Sequence, residues 1–220
     1  MDKYLILGIY CAGHLGKELY DIALRINEKE NKWDKIIFID DVYEDDTFYG
    51  AEVYRPNDMQ KQSEQLEVVI ANGTPVNRKV LREKIEGFGF RLANLIDPTV
   101  IISPTAILGK GIIVTPYSTI SSNVVLKDNV LIHSYVRIGH DIEVGEDSVI
   151  SSNVGIGGKT VIGTRTYVGL GAVIRDELSI GNDVIISLGA VVHTDIQDGV
   201  TVVAHPARVS RINETGKVFK

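Results

Sequence analysis

His140 and Asp141 are the adjacent pair in this sequence with the clearest capacity for chemistry. An imidazole can take a proton from an attacking nucleophile near neutral pH. A neighbouring carboxylate can orient the ring and stabilise the imidazolium that forms. Alone, such a pair is also what a solvated corner of any fold carries. Other chemistries are less well supplied. Cys11 could carry an acyl group, but no base stands beside it in sequence. Zinc needs three converging ligands, and His133, His193 and His205 lie at neither eighteen nor thirty-six residues from His140, so no metal site is expected. Tyr117, Tyr135 and Tyr167 read as surface or interface residues.

A second constellation lies near the N-terminus. An apolar run, Tyr4–Leu7, leads into the glycine-bearing stretch from Gly8 to Gly16. A strand, a turn and a helix N-terminus in that order favour a phosphate, through free amides and the helix dipole. The stretch is not G-x-G-x-x-G, and no hydride-transfer site is visible, so a dinucleotide dehydrogenase is not supported. Asp40-Asp41 follows the apolar run Ile36–Ile39, and Asn72-Gly73 follows Val68–Ala71. These are the strand C-termini at which an open α/β sheet binds its ligand.

The elements that must position these residues are of two kinds. Leu19, Ile22, Ala23 and Ile26 recur at helical spacing, which predicts a helix beginning near Gly16; Val80, Leu81 and Ile85 predict a second across Asn77 to Gly87. Phe90 to Ile96 reads as a last strand. Strands alternating with helices imply a small Rossmann-like parallel α/β domain over residues 1–97.

From Ile102 the period changes. Every sixth residue through Val192 is Ile, Leu or Val, without insertion, past Leu126, Ile138, Ile156 and Ile174 among others. Neither a strand period of two nor a helical period of 3.6 does this, and an exact hexad implies a solenoid of short strands. Small or branched residues recur four places after the aliphatic, and Gly often follows it directly, as at Gly109, Gly139, Gly145 and Gly157. Glycine there suits the positive φ and close backbone approach of a tight corner. Residues 98–220 are therefore assigned to an all-β domain, a left-handed parallel β-helix of three hexads per coil. Residues eighteen apart should stack, which puts Gly158 beside His140. The hexad fails at Asp198, and the tail beyond it is expected to cap the open end.

Composition narrows the partners. The net charge is −6 with no basic block, which argues against nucleic acid. A single cysteine excludes an intrachain disulfide and suits a reducing compartment. No apolar run reaches the length of a signal peptide core or a membrane span, so a cytoplasmic protein is expected.

With these residues in view, the chain resembles the bacterial nucleotide-sugar N-acetyltransferases that act on 4-amino-4,6-dideoxy sugars, a group that includes sialic-acid O-acetyltransferases. The matching stretches are Gly13-His14 with Gly16-Lys17, Asp40-Asp41, Ala71-Asn72-Gly73, Gly139 to Gly145, Tyr167 to Val173, and His205-Pro206-Ala207-Arg208. The resemblance implies a homotrimer with acetyl-CoA in the groove between neighbouring β-helices. It implies His140 as general base and Asp141 as the acid that raises its basicity. It places Gly13, His14, Lys17, Asp40, Asp41, Asn72 and Gly73 on the nucleotide-linked amino sugar. Val149, Gly158, Leu170, Leu188, Gly189 and Pro206 fall toward acetyl-CoA. Three departures stand out: a longer first loop, Val149 where a second histidine is often found, and Ala204-His205-Pro206 in place of a Gly-Asn-Pro-like tail. Sugar O-acetylation, or sugar-nucleotide binding without chemistry, are the alternative activities.

Overall fold

A computed structural model describes residues 4–203. The N-terminal part is a six-stranded sheet built from β1 (Ile6–Tyr10), β2 (Lys35–Ile39), β3 (Thr47–Phe48), β4 (Ala51–Tyr54), β5 (Leu66–Ile70) and β6 (Arg91–Leu92). Its order is β3-β4-β2-β1-β5-β6, parallel except for the β3–β4 hairpin. Helices α1 (His14–Glu30), α2 (Pro56–Met59) and α3 (Pro75–Gly87) connect the strands. β1 is buried along its whole length, as a strand covered on both faces must be, and it is accordingly apolar without alternation. The helical spacing holds: Leu19, Ile22, Ala23 and Ile26 are the buried stripe of α1.

Two expectations shift here. β1 runs through Gly8 to Tyr10, so the loop before α1 is short, and α1 begins at His14 rather than near Gly16. Gly8 is a strand residue paired with Ile37, and a side chain is disfavoured there because a β-carbon would lie 2.6 Å from Ile39 Cδ1. Gly16 sits inside the first helical turn, where a β-carbon would lie 2.6 Å from the Cys11 carbonyl oxygen. Both glycines permit close packing. The stretch Phe90 to Ile96 also divides. β6 completes the sheet beside β5, whereas Leu95–Ile96 pairs with Ile113–Val114 as the first rung of the second half.

That second half is a parallel β-helix whose rungs are two-residue strands in three sheets. The first sheet climbs from Leu95–Ile96 through Leu131–Ile132 to Thr201–Val202. The second runs from Ile101–Ile102 through Arg137–Ile138 to Val191–Val192, and the third from Ile107–Leu108 through Glu143–Val144 to Ser179–Ile180. Residues eighteen apart pair, as in Ile138 with Ile156 and Val144 with Ile162. The hexad aliphatics face inward together with residues four places on, such as Val124, Ile142, Val154 and Val184, and they form one continuous core.

The corner chemistry differs from the expectation. Positive φ falls on the third residue after most of the aliphatics, including Asn123 (57°), Asn129 (59°), Asp141 (56°) and Lys159 (59°). The glycine directly after the aliphatic is needed for proximity alone: a β-carbon on Gly145 would stand 2.6 Å from the Thr164 amide nitrogen of the next coil. The failure of the hexad at Asp198 marks a shortened coil. Asp195 and Asp198 bond to residues sixteen, not eighteen, positions earlier, and Thr201–Val202 still pairs with Ile185–Ile186. The remainder of the expected cap, with His205 and Pro206, lies outside the described residues.

The two halves meet through the outer face of the first sheet. Leu95, Ile113, Leu131 and Val149 share a buried cluster with Leu19, Ile22 and Ile26 of α1. Arg78 of α3 is fully buried at this junction. Its guanidinium donates to the Ile70 and Asn72 carbonyls (2.8 and 3.0 Å) and to the Asn129 carbonyl and side chain (2.7 and 2.6 Å). Burial pushes it down to about 9, against the pull of Asp147, so it remains charged at neutral pH. Asn129 donates to Asp147 at 2.8 Å, and Asp147 is clasped by Arg82 at 2.9 and 2.8 Å. Arg78→Leu would strand several buried acceptors at once. It should destabilise the protein by about 3 kcal/mol or more, read from the denaturant midpoint. A parental midpoint would show that these acceptors find other donors.

Candidate active site

His140 occupies the corner between the second and third sheets. Ile138 points into the core, Gly139 lies flush against the coil above, and Asp141 takes the left-handed conformation that turns the chain into the third sheet. The His140 carbonyl accepts from the Lys159 amide at 2.8 Å, which ties the corner to the next coil. Nδ1 of His140 lies 2.7 Å from Asp141 Oδ2. With Nδ1–H donated to the carboxylate, Nε2 keeps its lone pair free to accept a proton. The ring rests on Gly158, where a β-carbon would fall 2.7 Å from Nε2. Any other residue at 158 would occupy the space that Nε2 faces. Both side chains are open to solvent, at 57% and 46% exposure.

A third residue completes the pair. Asn123, one coil below, donates its side-chain amide to Asp141 Oδ1 at 2.9 Å. Asn123 first, then His140, hold the Asp141 carboxyl below the usual carboxylate range, so it is ionised throughout the neutral region. Sequence reasoning passed over Asn123, although the eighteen-residue interval that located Gly158 also leads to it.

Beside this corner an open groove of about 540 Å³ runs along the second sheet. Gly139, Gly155 and Gly157 form its floor, and Arg137 and Arg175 flank it. Leu170 and Leu188, exposed at 53% and 70%, stand on the neighbouring corner two and three coils higher, as does Gly189 with φ 65°. Val149 corrects the expectation of a cofactor contact. It is fully buried on the first sheet, in the cluster beneath α1, because the N-terminal half covers that face.

The residues expected at the nucleotide end do gather at the C-terminal ends of β1, β2 and β5. Asp40 accepts from the Ala12, Val42 and Tyr43 amides at 2.8, 2.9 and 3.0 Å. Burial opposes its charge, but these donors prevail and its pKa is lowered. Asp40 thus fixes the shape of two loops. Asp41 accepts from the Tyr10 hydroxyl at 2.9 Å and from Lys84 at 2.5 Å. Gly13 is the N-cap of α1, and His14 is its first residue. Lys17 lies over the Phe48 and Tyr49 rings. Asn72 caps the Thr74 amide at 3.0 Å, and Gly73 opens onto a cleft of about 460 Å³ whose far wall is Tyr167 and Ile185 of the β-helix. Cys11 lies among these loops. Burial and then Asp40 push its thiol up to about 11, so it is no nucleophile at neutral pH.

One chain does not bring the two constellations together. The N-terminal half covers the first sheet, whereas His140 sits on the opposite corner of the triangular prism, between the second and third sheets.

Comparison with known proteins agrees with this architecture. Residues 123–158 match the family model described as bacterial transferase hexapeptide (six repeats). The acetyltransferase domain of PglB from Neisseria gonorrhoeae FA1090 is 30% identical over 92% of this chain and 98% of its own, with a TM-score of 0.83. This chain belongs to the hexapeptide-repeat acetyltransferase family. The same PglB domain has also been solved in complex with acetyl coenzyme A, and there the identity is 29% and the TM-score 0.84, over 93% and 98% of the two chains. WeeI from Acinetobacter baumannii AYE is 28% identical over 93% and 99%, with a TM-score of 0.85. No curated protein sequence matches the chain. The enzyme is therefore an acyltransferase with the left-handed β-helix that its hexads predict. Among the described residues no helix is long and apolar enough to cross a membrane, and no cluster of three or more His, Cys, Asp or Glu could hold a metal ion.

Gly158 offers a local test of this geometry. Gly158→Ala meets only the exposed His140 ring, which can swing away, so stability should be close to parental while the ring leaves its station. The His140–Asp141 contact, followed through the imidazole resonances by NMR, should be lost. An unaltered histidine spectrum would show that the ring does not rest on Gly158.

Proposed function

We propose that this acetyltransferase moves the acetyl group of acetyl-CoA to the 4-amino group of a nucleotide-linked 4-amino-4,6-dideoxy sugar, with His140 as general base. The observation that carries this reading is the His140–Asp141 pair, with Nε2 left free above Gly158. The acetyl-CoA complex of the PglB domain supports the cosubstrate.

The sugar amine attacks the thioester carbonyl, and a C–N bond forms. His140 Nε2 takes the proton that the amine sheds, and Asp141 stabilises the imidazolium. Backbone amides near Gly158 support the tetrahedral oxyanion. The C–S bond then breaks, and the proton on His140 goes to the departing thiolate, so CoA leaves as its thiol. No acyl-enzyme is needed, in keeping with the raised thiol of Cys11. Gly158, Leu170, Leu188 and Gly189 belong to the acetyl-CoA side. Gly13, His14, Lys17, Asp40, Asp41, Asn72 and Gly73 belong to the nucleotide side. Asp40 acts there by shaping the loops.

Because the two sides lie on opposite parts of one prism, the working site is formed between protomers of a homotrimer, with acetyl-CoA in the groove between neighbouring β-helices. Closed threefold packing makes three equivalent sites. Light scattering should return three times the monomer mass at micromolar concentration. A monomer that retains full turnover would remove the shared site.

The role of His140 is tested directly. His140→Asn keeps polarity but cannot take the proton. Turnover should fall by about 10²–10⁴-fold, with the KM for acetyl-CoA nearly unchanged. The folded trimer should persist, since the side chain is exposed. Parental turnover in a folded His140→Asn enzyme would exclude histidine base catalysis.

A further inference from the structure

Asn123 belongs to a column of residues at eighteen-residue intervals along the His140 corner, comprising Thr105, Asn123, Asp141, Lys159 and Glu177. Its own amide nitrogen is held by Thr105 Oγ1 at 3.0 Å. Its side chain donates to Asp141 Oδ1 at 2.9 Å, and Asp141 Oδ2 meets His140 Nδ1 at 2.7 Å. On the other side of Asp141, Lys159 turns away to Glu177 Oε1 at 3.0 Å.

We infer that Asn123 is a positioning residue for acetyl transfer, holding the Asp141 carboxylate in the one plane that aims His140 Nε2 at the reacting groups. The inference rests on the reading of His140 as base. Rotation of an exposed carboxylate about its terminal torsion is soft. A donor on Oδ1 fixes that torsion and leaves Oδ2 directed at the imidazole. The donor is also neutral. A cation at 123 would offset the charge that stabilises the imidazolium, whereas an amide fixes the carboxylate and leaves its charge in place. The pairing of Lys159 with Glu177 acts in the same sense, because it draws the nearest cation off Asp141. Backbone conformation favours asparagine here, as at Asn129 and Asn153, but does not require it, since Tyr117, Tyr135, Lys159, Arg165 and Glu177 take the same left-handed position.

The positive φ of Asn123 makes glycine the clean deletion, since it removes the amide without backbone strain. Asn123→Gly should lower turnover about five- to tenfold, the net worth of one solvent-exposed hydrogen bond, with the KM for acetyl-CoA unchanged. In an Asp141→Asn background the same change should cost nothing further, because the group it acts through is already gone. Asn123→Asp tolerates the same backbone but sets two carboxylates against each other. It should be slower than Asn123→Gly at pH 8, and its turnover relative to the parent should rise as pH falls and the pair takes up a proton. The groups facing that pair are His140 and Lys159, with Asp176 and Glu177 facing Lys159 in turn. Full turnover in Asn123→Gly, or an equal loss with and without Asp141, would overturn the positioning role. If His140→Asn is inactive while Asn123→Gly is fully active, only this inference fails. If His140→Asn is active, the reading beneath it fails as well.

Discussion

The backbone of one coil pairs with the next in a register of eighteen residues, and this register decides what can stand beside what. Stacked strands in neighbouring coils leave little tolerance: where two corners touch, only glycine fits, and a slip of one residue would turn every aliphatic outward. The same spacing sets Gly158 under the His140 ring, Asn123 against Asp141, and Asp147 against Asn129. The core and the candidate active site are thus two consequences of one repeat. The inward hexad positions carry Ile, Leu and Val; the corner positions whose side chains point away from the core carry the polar columns.

The second constraint is the junction. Arg78 satisfies carbonyls from both halves, including that of Asn72 in the loop expected to meet the nucleotide. A buried cation with every hydrogen bond used is costly to disturb, so the junction holds that loop against one corner of the prism and the helix α1 against one face. This geometry separates the two constellations within a chain. The proposed acetyl transfer needs both constellations, which gives the chain reason to assemble, since a neighbour can bring the missing side.

Much of this was legible because the repeat is exact. Sixfold periodicity marked the solenoid, the stacking of His140 with Gly158 and the inward face. The helical stripe of α1 was equally plain. What escaped had physical reasons. Gly8 looked like a loop glycine, but it lies within β1, where crowding by Ile39 favours glycine. β3 and β4 are too short and mixed in polarity to announce themselves. Val149 occupies an outer strand position, and only its burial under α1 shows that no ligand can reach it. The glycines directly after the aliphatics proved to serve proximity, while the left-handed turns fall two residues later, on Asn, Asp, Lys and Tyr as well as on Gly111, Gly171 and Gly189. Asn123 escaped because an asparagine at a left-handed corner is ordinary, and only its side-chain bond to Asp141 in the next coil sets it apart.

The central claim is that the catalytic corner of one chain works with the nucleotide end of another. It is tested most directly by mixing two disabled chains. One carries His140→Ala, the other Asp40→Ala, and the two are co-expressed under different tags so that mixed oligomers can be isolated. Every mixed trimer, of either composition, holds one site in three that pairs an intact corner with an intact nucleotide end, so mixed trimers should regain about a third of parental turnover while each parent variant stays inactive. Mixed trimers as inactive as their parents would place both halves of the site in a single chain and contradict the account.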